Sequence, residues 1–268
     1  MVKVIVAGAA GRMGKRIIHM IHQDRRISLA AAFERPDHAS VDNDAGLVAG
    51  VGELGIKISG SFEKAIDAGG DVVIDFTAPE ITMKNLKTAV DQGLAMVIGT
   101  TGLTDAMLRE IEVLAKKTRC VMAPNMSVGV NVMFKIAKEM ALILGNDYDM
   151  EILEAHHRLK KDAPSGTAMH LAEILAEATG RNIEQVGVYG RKGIIGERRN
   201  DEIGVQVLRG GDITGEHMVM FAGTGERLEL THRAHNRDNF ARGAVTAALW
   251  IVKQSKGLYD MQDVLGLR

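Results

Sequence analysis

Between Glu154 and Ala168 the chain reads EAHHRLKKDAPSGTA. His156 and His157 carry imidazoles, side chains that can pass protons. Lys160 and Lys161 add positive charge. Ser165, Gly166 and Thr167 stand at the start of an alanine-rich helical pattern, where backbone donors and hydroxyls can grip a carboxylate or phosphate. The stretch therefore suits an anionic substrate that exchanges a proton. Taken alone, it equally suits a solvated basic loop running into a capped helix. A dihistidine metal site is disfavoured, because no carboxylate-and-histidine set at ligand spacing completes it. No metal is expected.

A second group sits at the amino terminus. VKVIVAG is a β-branched run of the kind buried in a parallel sheet, and GAAGRMG then turns into the helical pattern KRIIHMIHQ. SLAAAF follows as a strand ending at Glu34-Arg35. Strand, glycine turn, helix and strand make the first unit of a dinucleotide fold. Gly8 permits the bend, Gly11 admits a pyrophosphate to the backbone, and Gly14 lets the helix pack on the sheet. Ala9, Ala10, Arg12 and Met13 complete the turn, with Ala10 where GxGxxG has glycine. Glu34 can accept from ribose hydroxyls, which favours NADH, whereas Arg35 can pair with a 2′-phosphate, which favours NADPH. A solvated Glu-Arg pair at a strand end is the plain alternative.

The elements that must carry these groups can be read from the pattern. Strands are expected over DVVIDFT (71–77), AMVIGTTG (95–102) and RCVMAPN (119–125), with helices ending near Gly93 and spanning about Thr104 to Lys117. In an open α/β sheet ligands bind outside the carboxyl ends of strands. Gly99, Thr100 and Thr101 are thus candidates for the nicotinamide side, and APNMS (Ala123, Pro124, Asn125, Met126) crosses toward the second half. A long helix over Ser127–Leu144 precedes the strand YDMEILEA. Adjacent strand residues face opposite ways, so both histidines serve one pocket only if that strand ends at His156. The helix after Gly166 should run to about Thr179. From Ile183 to Arg233 the pattern alternates, and the short GGD and GTG links predict antiparallel neighbours. Ile203, Val205, Val207, Val219 and Phe221 are read as an apolar face covered by subunit packing. The fold class is α/β: a Rossmann-like dinucleotide-binding domain plus an α+β domain with a mixed, largely open-faced sheet.

Composition sets the outer bounds. Lys and Arg number 33 against 34 Asp and Glu, a net charge of −1, so no global field points to nucleic acid or to an anionic membrane. Nothing approaches a membrane span of about 20 apolar residues. The opening strand leaves no room for a signal peptide, and a cytoplasmic protein is expected. Cys120, the single cysteine, reads as a buried strand thiol.

GAAGRMG, Phe33-Glu34-Arg35, DFTAPE, VIGTTG, APNMSVGVN, EAHHRLKKDAPSGTA, GEH and LELTHRA, in this order, resemble the 4-hydroxy-tetrahydrodipicolinate reductase (dihydrodipicolinate reductase) family over nearly the whole chain. The histidine-lysine block is its most specific motif. The resemblance implies reduction of (2S,4S)-4-hydroxy-2,3,4,5-tetrahydrodipicolinate by NADH or NADPH with release of water, in lysine biosynthesis through diaminopimelate. It implies a homotetramer joined through the C-terminal sheets, a dinucleotide-binding domain of residues 1–126 and 238–268, and a substrate-binding and oligomerisation domain of residues 127–237. By position, His156 matches the family's proton donor/acceptor and Lys160 its second proton donor. His157 matches a substrate contact, and Gly166 with Thr167 the clamp on a substrate carboxylate. Gly8 to Met13, Glu34, Arg35, Gly99 to Thr101 and Ala123 to Met126 match cofactor contacts. Met126 departs from the aromatic common in the family. Two rival readings stand beside it: another two-domain amino-acid-pathway dehydrogenase, and a non-catalytic NAD(H)-sensing regulator.

Overall fold

The computed structural model describes residues 1–268. In chain order the elements are β1 (Val2–Ala7), α1 (Arg12–Gln23), β2 (Ile27–Phe33), α2 (Ala45–Ala49), β3 (Ile58–Ser59), α3 (Phe62–Ile66), β4 (Val72–Asp75) and α4 (Pro79–Asp91). They continue with β5 (Ala95–Ile98), α5 (Asp105–Ala115), β6 (Arg119–Met122), α6 (Val128–Leu144), β7 (Asp149–His156), α7 (Gly166–Ala178), α8 (Ile183–Val186) and β8 (Gly187–Val188). The last are β9 (Ile203–Arg209), β10 (Gly215–Gly223), β11 (Glu226–Ala234), α9 (Asp238–Ile251), β12 (Gly257–Tyr259) and α10 (Met261–Leu265). The chain divides into two compact units, Met1–Val128 with Arg237–Arg268, and Gly129–Asn236.

The first unit holds a parallel sheet of order β12-β6-β5-β4-β1-β2-β3. The strands are short apolar runs because both faces are covered. Val4, Val6, Ile74 and Val97 pack on one side with Ile17, Ile18 and Ile21 of α1 and with the small residues of α9. Ile5, Val73, Met96 and Ile98 face the other way, against Met83 and Leu86 of α4 and Ile111 of α5. Cys120 is fully buried on that side and burial pushes its thiol up to about 12, an inert strand thiol as expected. Helix starts follow local chemistry: Pro79 opens α4, and Thr104 accepts the Met107 N–H at the head of α5. Strand order reverses between β1 and β4, where both neighbours of β1 run parallel to it and their loops part.

The second unit is built on a mixed sheet of order β11-β10-β7-β9-β8. β10 is antiparallel to β7 and β11, while β9 is parallel to β7. The GTG link makes the expected hairpin. The GGD link does not, because β7 lies between β9 and β10 and each pairs with it instead. A second correction concerns the apolar residues: Ile203, Val205, Val219 and Phe221 are essentially buried under α6 and α7 of their own unit. Val207 shares their face, opposite Glu154. The registers put Leu153, Leu208, Met218 and Met220 on the opposite face, and no helix of this cluster covers them. The alternation expected from Ile183 also fails before Ile203. Residues 183–186 form a helical turn, and Gly190, Gly193 and Gly196 adopt φ of +115°, +80° and +75°, which no regular strand allows. Arg191 and Arg198 tie this loop to Glu151 at 2.8 and 3.1 Å.

Candidate active site

In the first unit, the expected dinucleotide residues gather at the carboxyl ends of β1, β2, β5 and β6. Gly8 takes φ +62° at the turn, and the Gly11 N–H donates to its carbonyl at 2.9 Å. A Cβ on Gly14 would stand 2.2 Å from the Gly8 carbonyl oxygen, so α1 can approach the loop only through glycine. The head of α1 has no side-chain cap and no acidic residue in its first turn. Its amides and the exposed Arg12 suit a pyrophosphate. Glu34 reaches over the turn, accepting from the Ala10 N–H at 3.2 Å and the Arg35 N–H at 3.1 Å. Arg35 is exposed, 3.5 Å from Asp37.

The other members differ in what they present. A Cβ on Gly99 would overlap the Phe76 ring at 2.2 Å. Thr100 turns its hydroxyl inward, 2.7 Å from that of Thr82, in a buried cluster around Asp75. Thr101 and Pro124 are exposed, whereas Ala123 is buried. Asn125 accepts the Ser127 N–H at 2.9 Å. Met126 is buried in the core, where Gly243 of α9 packs directly on its carbonyl. The turn, the bare helix head and the carboxylate of Glu34 just beyond β2 fit a dinucleotide.

In the second unit, β7 ends at His156 as the two-histidine reading requires. The His156 Nδ1 lies 2.6 Å from Glu154 Oε2. Glu154 is wholly buried, and it also accepts the Ser165 N–H at 2.9 Å and both Arg209 terminal nitrogens at 2.8 and 2.9 Å. Burial alone would raise its carboxyl. The bonds from Arg209, His156 and Ser165 outweigh that and hold it below the usual range. Burial lowers His156, with Lys160 and Arg209 acting in the same direction against the pull of Glu154, so the imidazole is mostly neutral at pH 7.

The loop after β7 is fastened at several points. Arg209 also donates to the Asp162 carbonyl at 2.7 Å, and the Lys160 N–H donates to the His157 carbonyl at 3.0 Å. Lys160 Nζ sits 2.9 Å from Asp162, and His157 Nδ1 is buried without a protein partner. Ser165 caps α7, its hydroxyl accepting the Ala168 N–H at 3.2 Å. It also lies 3.2 Å from His217 Nε2. His217 is buried and burial pushes it down to about 3, with His156 adding to the effect. A Cβ on Gly166 would meet nothing within 4 Å. Its lack of a side chain answers to no neighbour in the protein. The assembly of imidazoles, an ammonium and a helix head can hold a carboxylate and move a proton beside it.

Comparison with known proteins gives the family. Residues 2–126 match "Dihydrodipicolinate reductase, N-terminus" and residues 129–265 match "Dihydrodipicolinate reductase, C-terminus". The chain belongs to the dihydrodipicolinate reductase family. It is 54% identical over 268 residues, 100% of both chains, to the 4-hydroxy-tetrahydrodipicolinate reductase of Syntrophus aciditrophicus (strain SB). To that of Desulfotalea psychrophila (strain LSv54 / DSM 12343) it is 56% identical, covering 100% of this chain and 99% of the relative. Among solved structures, dipicolinate-bound dihydrodipicolinate reductase from Paenisporosarcina sp. TG-14 superposes with a TM-score of 0.77 at 27% identity, covering 98% of each chain. GenD2 from gentamicin A biosynthesis in complex with NAD, at 12% identity and TM-score 0.61, shares the fold.

Within a dihydrodipicolinate reductase, pattern reading gave Arg209 no part, and it placed Glu154, Ser165 and His217 in motifs without showing what each of them holds. Glu154, Ser165, Arg209 and His217 come from β7, the head of α7, β9 and β10. Their shared face appears only once the registers Glu154↔Val207, His156↔Arg209 and His217↔Glu154 are known. Arg209 and His217 lie far along the chain from the motif. The alternation within IGVQVLR and GEHMVMF, and the GEH motif itself, were the available signals.

Proposed function

We propose that this reductase reduces (2S,4S)-4-hydroxy-2,3,4,5-tetrahydrodipicolinate to (S)-2,3,4,5-tetrahydrodipicolinate, consuming NADH or NADPH and a proton and releasing water, in lysine biosynthesis through diaminopimelate. The observation that carries the reading is the placing of His156, Lys160 and the head of α7 around one strand end. Bound NADH or NADPH supplies hydride. Gly8 to Met13 would take the pyrophosphate, and Glu34 and Arg35 the adenosine ribose or its 2′-phosphate. Gly99 to Thr101 and Ala123 to Met126 would line the nicotinamide side. Because Thr100 spends its hydroxyl on Thr82 and Asp75, its backbone is the part left for a ligand.

Gly166 and Thr167 would clamp one substrate carboxylate at the helix head, and His157 and Lys160 would balance the remaining negative charge. His156 and Lys160 then serve as proton donors while the ring is held in a reactive orientation. The catalytic form proposed is a cytoplasmic homotetramer. Its support is the sheet face carrying Leu153, Leu208, Met218 and Met220, of which Leu208 is 53% exposed.

The test is coupled turnover with freshly generated 4-hydroxy-tetrahydrodipicolinate and each cofactor. His156→Asn and Lys160→Ala should each lower kcat by about 10-fold or more in folded protein. Near-wild-type turnover in both variants would remove the assignment.

A further inference from the structure

We propose that Glu154 is a positioning residue, which fixes His156 as the Nδ1–H tautomer and commits its Nε2 to proton exchange with the substrate. The inference rests on the proton-donor role proposed for His156 above. Glu154 is 0% exposed on β7. Its Oε1 accepts from the Ser165 N–H (2.9 Å) and Arg209 Nη2 (2.9 Å), and its Oε2 from Arg209 Nη1 (2.8 Å). A backbone amide and a guanidinium can only donate. The carboxylate is therefore locked as an acceptor, and His156 Nδ1, 2.6 Å from Oε2, must carry the hydrogen. Only Nε2 remains for chemistry.

The surroundings keep that nitrogen accessible. A Cβ at Gly215 would lie 3.1 Å from His156 Nε2, so glycine on β10 leaves the space beside it clear. The His217 ring stands edge-on at 5.2 Å and 74°, which limits tilting of the imidazole. The charged and titratable groups facing His156 are Glu154 on its own strand, Arg209 on β9, His217 on β10 and Lys160 on the following loop. Glu154 is the only anion among them. It is what makes a proton on His156 sustainable between two cations.

A plainer role is also available to Glu154. Through Ser165 and Arg209 it anchors the loop that carries Lys160, and a variant could fail for that reason alone. The glutamine variant separates the two roles. In Glu154→Gln, an amide NH2 at the Oε1 position would oppose two fixed donors. At the Oε2 position it opposes only Arg209 Nη1, because His156 can answer by changing tautomer. The amide should settle there and donate to Nδ1, moving the imidazole hydrogen to Nε2 and disfavouring the imidazolium.

The experiment is nitrogen NMR of histidine-labelled protein beside steady-state kinetics across pH, with dipicolinate binding as a check on the pocket. In the wild type, neutral His156 should show the Nδ1–H tautomer. In Glu154→Gln it should show Nε2–H, kcat should fall by about 10-fold or more, and the alkaline limb of kcat/KM should move down by about one pH unit. The dipicolinate Kd should stay within about threefold. Arg209→Lys, which loosens the anchor yet keeps the Nδ1 bond, should raise KM and leave tautomer and pH limb in place. The inference is overturned if Glu154→Gln keeps both the tautomer and the wild-type pH profile, or if Arg209→Lys alters them equally. His156→Asn separates the layers: fast turnover there defeats the proton-donor role itself, whereas slow turnover with an unaffected Glu154→Gln defeats only the positioning role. If Glu154→Gln does not fold, Glu154→Asp retains a carboxylate for Arg209 one methylene short of His156. It should lose the tautomer preference, and retention would count against the proposal.

Discussion

Replacing Gly166 with alanine tests the carboxylate clamp with the smallest possible change. Gly166 opens α7, does not take a positive φ, and offers a Cβ no protein atom within 4 Å. Nothing inside the molecule resists the methyl group. Glycine is a poorer helix former than alanine by up to about 1 kcal/mol in a helix interior and less at its first turn, so Gly166→Ala should leave stability unchanged or slightly raised. The cost falls on the ligand. A methyl at this point keeps a carboxylate from closing on the first-turn amides and forfeits one hydrogen bond to a charged group, worth about 1.5–3 kcal/mol. That converts to a rise in KM of about 10- to 150-fold, with kcat moving less because the clamp grips substrate and transition state alike. Initial rates of NADH oxidation over a range of substrate concentrations, together with urea unfolding, measure both quantities. An unchanged KM would show that no anion approaches the helix head here. A stability loss beyond about 2 kcal/mol would show that the glycine serves the fold, which also contradicts the reasoning.

Three further outcomes follow from the same geometry. Gly14→Ala would put its Cβ 2.2 Å from the Gly8 oxygen and 2.7 Å from the Ala9 Cα, both backbone. It should cost about 3 kcal/mol in urea unfolding and weaken NADH binding, and wild-type stability would refute the packing argument. His217, with its ordinary value of 6.5 pushed to about 3, is held neutral in the folded chain, so the unfolded chain binds the extra proton between those values. Stability from this residue is complete above pH 6.5 and falls by about 1.4 kcal/mol per pH unit below it; His217→Gln should flatten that slope between pH 6.5 and 5, and an equally steep variant would count against it. Arg35→Ala should raise KM for NADPH about 10-fold while changing that for NADH far less, since of the two cofactors only NADPH carries a 2′-phosphate for it to pair with. Equal effects would mean that Arg35 stays with Asp37.

The first unit was legible because its signals are local. The turn GAAGRMG between two β-branched runs carries its own geometry, and the Gly8 conformation and Gly14 contact are consequences of a few neighbouring residues. The ends of β5 and β6 were overextended: the runs expected to Gly102 and Asn125 stop at Ile98 and Met122, since a strand ends where its pairing ends. In the second unit the strands themselves could be read, but their neighbours could not. Inserting β7 between β9 and β10 depends on long-range pairing, and it decided which face Val219 and Phe221 occupy. The same distance hid the support of the site. Arg209 reaches Glu154 across 55 positions, a contact that neither composition nor periodicity announces.

The helix that follows the inserted unit, α9, gives the chain an unusual order of assembly. Ala241, Gly243, Ala244, Ala247 and Ala248 of α9 are buried on the first-unit sheet, and β12 adds its edge strand beside β6. These pieces leave the ribosome after the whole of Gly129–Asn236. The unit begun first must therefore be completed last, holding an uncovered sheet face while the inserted unit finds its own fold. A stop codon after Asn236 would spare every residue of the glycine turn and still deprive it of the layer that holds its sheet together.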